Sequence, residues 1–287
     1  MVSMLQFTCC YIHPLADRLR QALRRVTADM PARASSLALQ LLYMPALLPV
    51  RPAAPRSAVE HLPVHAADAT LAKLPLVRFQ GSRLARALLR LFGWRTFFEG
   101  VPGPHGVIIV YPHTSNWDFP VGILAKWALG IPVRWWGKDS LFVHPLTRYT
   151  LGPLMRWWGG VPVNRAASQG LIARTVQQMK SSPFFWLALA PEGTRSFKPH
   201  WKSGFYHLAV AAEVPLGLAA LDFARKEVRV TQFIGLTGDP EQDLLRIRAY
   251  YASATGCRPE QAGPIEFRAA DGHASASQVP LAGAIKT

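Results

Sequence analysis

From residue 107 to residue 254, short apolar runs alternate with longer amphipathic stretches. That alternation constrains the fold more than any other feature of the chain. The runs are Val107 to Tyr111, Ile131 to Trp136, Val161 to Asn164, Phe184 to Ala190, Leu216 to Asp222 and Val228 to Ile234. They are too short for helices and rich in branched and aromatic residues, so they predict buried strands. Between and after them the pattern predicts helices over Trp117 to Leu129, Pro145 to Trp158, Ser168 to Ser181, Ser203 to Glu213 and Asp239 to Ala254. Strand and helix in turn argue an α/β fold: a single domain over residues 76–268, with a largely parallel or mixed central sheet flanked by helices. The last two strands are expected to pair as a hairpin. Ahead of them, Arg83 to Phe98 reads as one amphipathic helix. Leu84, Leu88, Leu91, Phe92 and Trp94 gather on one side of it and Arg83, Arg86 and Arg90 on another. Such a helix packs on a core or lies in a membrane interface.

The two ends differ in composition. Residues 1–75 are rich in Ala, Pro and Arg and read as an N-terminal extension, partly helical or disordered. Residues 269–287 are rich in Ala and Gly and read as a disordered tail. The chain has 32 Lys and Arg against 17 acids, a net charge of +15. A surplus of that size implies a polyanionic partner. Basic residues interleave with Trp, as in Arg134-Trp-Trp136 and Arg156-Trp-Trp158. This points to an anionic membrane surface, since Trp and Arg settle among lipid headgroups; RNA-binding surfaces mix the same residue types. No apolar run reaches the roughly 20 residues needed to span a bilayer, the run Leu37 to Val50 being short and holding two prolines, so peripheral association with the cytoplasmic face of a membrane is expected. Three cysteines form no disulfide framework or C-x-x-C pattern. No metal-ligand spacing such as His-Glu-x-x-His occurs.

Three constellations carry chemistry. In the first, the strand ending at Tyr111 runs into Pro112-His-Thr-Ser-Asn-Trp-Asp118. His113 therefore falls at a strand-to-helix turn, where open α/β sheets bind ligands. Asp118 lies about one helical turn further on, where it can orient the imidazole and stabilise its protonated form. Ser115-x-x-Asp118 also fits a capping box. In the second, Glu192-Gly-Thr-Arg195 follows a strand. Gly193 allows a tight turn, and Arg195 offers a planar fork of donors to a phosphate or carboxylate. Glu192 can orient a substrate hydroxyl or hold Arg195. In the third, Gly159-Gly160 precedes a short strand that delivers Arg165.

In order and spacing these three segments resemble the glycerolipid, lysophosphatidic acid acyltransferase (PlsC-like) family, from about Leu76 to Phe267. The resemblance implies that His113 is a general base and Asp118 its orienting partner. It implies substrate binding by Arg165, Glu192, Gly193, Thr194 and Arg195. The implied acceptor is a lysophospholipid, most of all 1-acyl-glycerol-3-phosphate, and the donor is acyl-CoA or acyl carrier protein, with no other cofactor, no metal and no nucleic acid. The chain departs from the family pattern at Pro162, Asn164 and Leu218-Ala219. No Gly-x-Ser-x-Gly elbow is present, so direct transfer is expected rather than a serine acyl-enzyme. Two other readings use the same residues: a lipid hydrolase or thioesterase that activates water, and a non-catalytic basic protein that binds membrane or RNA.

Overall fold

The computed structural model describes residues 68, 71, 73–143, 149–163 and 170–268. In chain order its elements are β1 (Leu76–Val77), α1 (Arg83–Leu91), β2 (Arg95–Phe98), β3 (Val101–Pro102), β4 (His105–Tyr111), α2 (Asp118–Leu129) and β5 (Val133–Lys138). There follow α3 (Ser140–Val143), α4 (Leu151–Trp157), β6 (Gly160–Val163), α5 (Leu171–Ser181), β7 (Phe185–Leu189), α6 (Gly204–Ala212), β8 (Leu216–Asp222), β9 (Glu227–Ile234) and α7 (Pro240–Tyr251). Seven strands form one sheet in the order β2-β9-β8-β4-β7-β5-β6. From β8 to β6 all neighbours are parallel. β9 turns back antiparallel to β8, and β2 lies parallel to β9 at the edge. The α/β class, the mixed central sheet and the β8–β9 hairpin agree with the sequence pattern.

The central strand β4 is buried on both faces, which explains its unbroken apolar run. Val107, Ile109 and Tyr111 point to one face, where they meet Leu216, Leu218 and Ala220 of β8 and Phe205, Leu208 and Ala209 of α6. Ile108 points to the other face with Trp186 and Ala219. On that second face α2 packs through Val121, Ala125 and Ala128 against Leu221 and Val228. β4 and β7 are neighbours, yet the helices that follow them in the chain, α2 and α6, cover opposite faces. Their loops part at the carboxyl ends of the strands. The crevice left between such loops is where open α/β sheets place their ligands.

Three local readings are revised. The helix expected over Arg83 to Phe98 ends at Leu91. Gly93 takes φ +80°, a left-handed conformation that stops a helix, and Arg95–Phe98 joins the open edge of β9 as a strand. The leucine stripe of α1 faces outward: Ala85 and Leu89 enter the core, while Leu84 is 70% exposed and Leu88 and Leu91 are also exposed. Leu84 and Leu88 border a groove of about 380 Å³ shared with Leu124 and Trp127 of α2. Of the helix expected over Pro145 to Trp158, residues 145–148 lie outside the described residues; Tyr149 and Thr150 form a turn and the helix runs Leu151–Trp157, with a separate short helix at Ser140–Val143. Pro153 is accommodated because it falls in the first turn, where an N–H has no intrahelical partner anyway. The N-terminal extension up to residue 67 and the tail 269–287 lie outside the described residues. Among the described residues no helix is long and apolar enough to cross a membrane.

Candidate active site

Pro112 has no N–H to donate, so the ladder of β4 ends at Tyr111 and the chain turns away from the sheet. His113 sits in that turn. Its Nδ1 lies 3.2 Å from Oδ2 of Asp118, the first residue of α2. The same Oδ2 accepts a 2.8 Å hydrogen bond from the Ser115 N–H, and Ser115 Oγ accepts from the Trp117 N–H at 3.2 Å. The oxygen that faces the imidazole thus also holds the Ser115 N–H, but the expected capping box does not form, since the N-cap of α2 is Trp117 rather than Ser115. Asp118 is buried at a helix N-terminus, where the unpaired N–H groups of the first turn favour negative charge. Its Oδ1 is buried with no hydrogen-bond partner among the described residues. The His113 ring is partly exposed. With Nδ1 turned to Asp118, Nε2 is the nitrogen left to take a proton.

Glu192 follows β7 and is 2% exposed. Its Oε2 accepts the His113 N–H at 2.7 Å and its Oε1 accepts the Gly263 N–H at 3.3 Å. Burial pushes this carboxyl up to about 7; the two amides pull against that shift and the Asp118 charge adds to it. Gly193 takes φ +66° and lies against the Lys202 stem, which would stand 3.0 Å from a Cβ at that position. Thr194 Oγ1 accepts from the Ser196 N–H at 3.4 Å. Arg195 is exposed and forms no ion pair or hydrogen bond among the described residues. Lys202 is exposed too, and its N–H is held by the Pro191 carbonyl at 2.9 Å. It brings a second cation to the Gly193 turn. Arg165 lies outside the described residues; β6, which leads to it, runs parallel to β5 and ends at Val163 on the carboxyl side of the sheet.

Residues 95–217 match the family model described as Acyltransferase. Over that stretch the chain is similar to the acyltransferase family. The match covers His113, Asp118 and the whole Glu192-to-Arg195 turn. No curated protein and no solved structure matched the chain. Among the described residues no group of His, Cys, Asp and Glu is placed to hold a metal ion.

The candidate site also draws on residues past the end of the match. The Tyr111 hydroxyl donates to the Gly263 carbonyl at 3.1 Å. Burial, with the Glu192 charge next, pushes that phenol up to about 12, so it remains a donor. The Arg258 N–H donates to Thr114 Oγ1 at 3.1 Å. Neither these contacts nor Lys202 emerged from sequence reasoning as parts of the site. The turn residues Gly256, Pro259, Gly263 and Pro264 are the one signal there, and they mark a loop without naming its partner.

Proposed function

We propose that the protein transfers a fatty acyl group from the thioester of acyl-CoA or acyl carrier protein to the hydroxyl of a lysophospholipid, foremost 1-acyl-glycerol-3-phosphate. Acyl transfer is the chemistry of the matched family. The observation that carries the finer reading is the 3.2 Å contact of His113 Nδ1 with Asp118, held at the carboxyl end of β4 beside the Gly193 turn. His113 Nε2 takes the proton of the acceptor hydroxyl as its oxygen bonds to the thioester carbonyl carbon. Asp118 stabilises the imidazolium so formed. The C–S bond then breaks, and the imidazolium returns the proton to the departing thiolate. General-base help of this kind is worth about 10²–10⁴-fold. Arg195 and Lys202 supply cationic donors suited to the acceptor's phosphate, a role that the sequence resemblance also gives to Arg165.

Membrane association belongs to the same reading. Trp157 of α4 is 75% exposed, and its ring lies 5.9 Å from that of Trp127, which borders the α1 groove. Leu84, Leu88, Trp127 and Trp157 thus connect across α1, α2 and α4. Arg83, Arg86, Arg90 and Arg156 flank them, and α1 and α4 contain no acidic residue. An apolar strip with a cationic border suits the headgroup region of an anionic bilayer.

The test is thioester consumption by the purified chain with acyl-CoA, with and without lysophosphatidate, alongside His113→Ala. Consumption should require the acceptor and fall about 10²–10⁴-fold in the variant. Consumption independent of acceptor would make the protein a hydrolase. No consumption with either donor across a panel of lysolipids would end the transferase reading.

A further inference from the structure

The match to the acyltransferase family stops at residue 217, but two of the strongest polar contacts around His113 come from elsewhere or lead elsewhere. The backbone N–H of His113 has no strand partner, because β4 has ended and its last pairing with β7 is Ile109 with Leu189. Glu192 fills that gap from the neighbouring loop. The other oxygen of the same carboxylate reaches the Gly263 N–H. One residue on from His113, Thr114 is buried and accepts the Arg258 N–H. Two residues before it, Tyr111 donates to the Gly263 carbonyl. The segment 256–263 therefore grips the His113 turn on both sides, and Glu192 ties the two together.

The packing shows that the fit is close. A Cβ at Gly256 would stand 2.7 Å from Thr114 Oγ1, and one at Gly263 would stand 2.1 Å from the Lys198 carbonyl oxygen. Only glycine lets the backbone press this near to both loops. Each carboxylate oxygen of Glu192 already accepts from a backbone N–H, and the side chain is almost wholly covered.

We propose that Glu192 is a positioning residue for His113, and that segment 256–263, beyond the matched family stretch, is the fixed surface against which it holds the His113 turn. An ionised carboxylate accepts from two N–H groups at once, one on each oxygen. A carboxamide offers one acceptor and one donor, so Glu192→Gln sets an N–H against an N–H at His113 or at Gly263. The His113 turn loosens, while the buried charge that burial disfavours is removed. The inference rests on the proposed role of His113 as the base, and one arm of its test is independent of that role.

Hydrogen exchange followed by mass spectrometry supplies that arm. In Glu192→Gln, peptides covering 111–118 and 256–267 should exchange at least tenfold faster than in the wild type, with no substrate present. In steady state the same variant should lose about 10- to 100-fold in kcat, with KM for donor and acceptor within twofold and a thermal midpoint no lower than the wild type. Thr114→Val, which removes only the acceptor for the Arg258 N–H, should show the same split with a smaller loss, about threefold to tenfold. Unchanged exchange in both segments would overturn the proposal. So would faster exchange with kcat intact, which would leave the contact without a role in the reaction. A rise in KM with kcat preserved would overturn it in favour of direct substrate contact by Glu192. Should His113→Ala retain full activity, the transferase mechanism fails, and the exchange arm still reports whether Glu192 holds the turn.

Discussion

Asp118→Asn isolates the charge of the orienting acid from its shape. Asparagine keeps an oxygen that can stay on the Ser115 N–H, so the entry into α2 survives. What is lost is the negative charge 3.2 Å from His113 Nδ1. At that distance a full charge pair is worth about 5 kcal/mol at an effective dielectric of about 20, which sets a ceiling. The net worth of a hydrogen bond to a charged group, about 1.5–3 kcal/mol, sets a floor. Each 1.4 kcal/mol is about tenfold in rate. The charge matters only once the imidazole is protonated, so the loss falls on the transition state and on kcat rather than on substrate binding. The expected result is a fall of about 10²–10³ in kcat with KM within twofold. Stopped-flow detection of released thiol measures it, with the thermal midpoint as a check on folding. A folded Asp118→Asn protein with kcat within fivefold of the wild type would refute the assignment of Asp118 as the stabilising acid.

Gly106→Ala should destabilise the core by about 1–3 kcal/mol, because the new methyl would stand 2.2 Å from ring carbons of the fully buried Trp186; calorimetry should show a midpoint several degrees lower, and an unchanged midpoint would contradict the packing. Glu192 makes stability depend on pH in a defined sense. Its folded value is raised from 4.5 to about 7, so the stability it contributes is complete below pH 4.5 and is lost as pH rises through 7. Relative to the wild type, Glu192→Gln should gain up to about 3 kcal/mol between those limits, read from denaturant melts at pH 4.5 and 8; a gap that does not change with pH would show that the buried charge is not titrating there. The double substitution Leu84→Glu, Leu88→Glu should abolish co-flotation with phosphatidylglycerol vesicles at low salt while leaving turnover of a water-soluble short-chain acceptor within twofold; undiminished flotation would move the membrane contact away from α1.

His113 and Asp118 were legible in the sequence because their relation is local. Four residues lie between them across a strand end and a helix start, and Pro112 marked the strand end. The strand and helix alternation was legible for a similar reason: each element has its own periodicity. Glu192 shows the opposite case. Its partners His113 and Gly263 lie 79 and 71 residues away along the chain. Nothing in Pro-Glu-Gly-Thr-Arg distinguishes a carboxylate that meets backbone amides from one that meets substrate. The leucines of α1 failed for another reason. Periodicity finds a stripe but does not say which side of a helix the sheet lies on, and here Ala85 and Leu89 take the inner side. The run Trp94 to Phe98 looked continuous with that helix because its strand partner, β9, comes more than a hundred residues later.

The grip of segment 256–263 on the His113 turn sets the order in which a ribosome can deliver a working protein. Synthesis runs from the amino end, and domains fold as they emerge. His113, Asp118 and Glu192 are all made before the hairpin β8–β9 and the helix α7 that carry the chain to Gly256. Until those last elements emerge, the backbone amide of His113 has its carboxylate, but the carboxylate has nothing fixed behind it. A nascent chain cut at residue 217 would hold the whole recognisable motif set without the sheet that positions it, since most of β8 and all of β9 would be missing. The His113 turn is written well ahead of the segment that braces it, and in the proposed mechanism it becomes competent only after residue 263 has emerged.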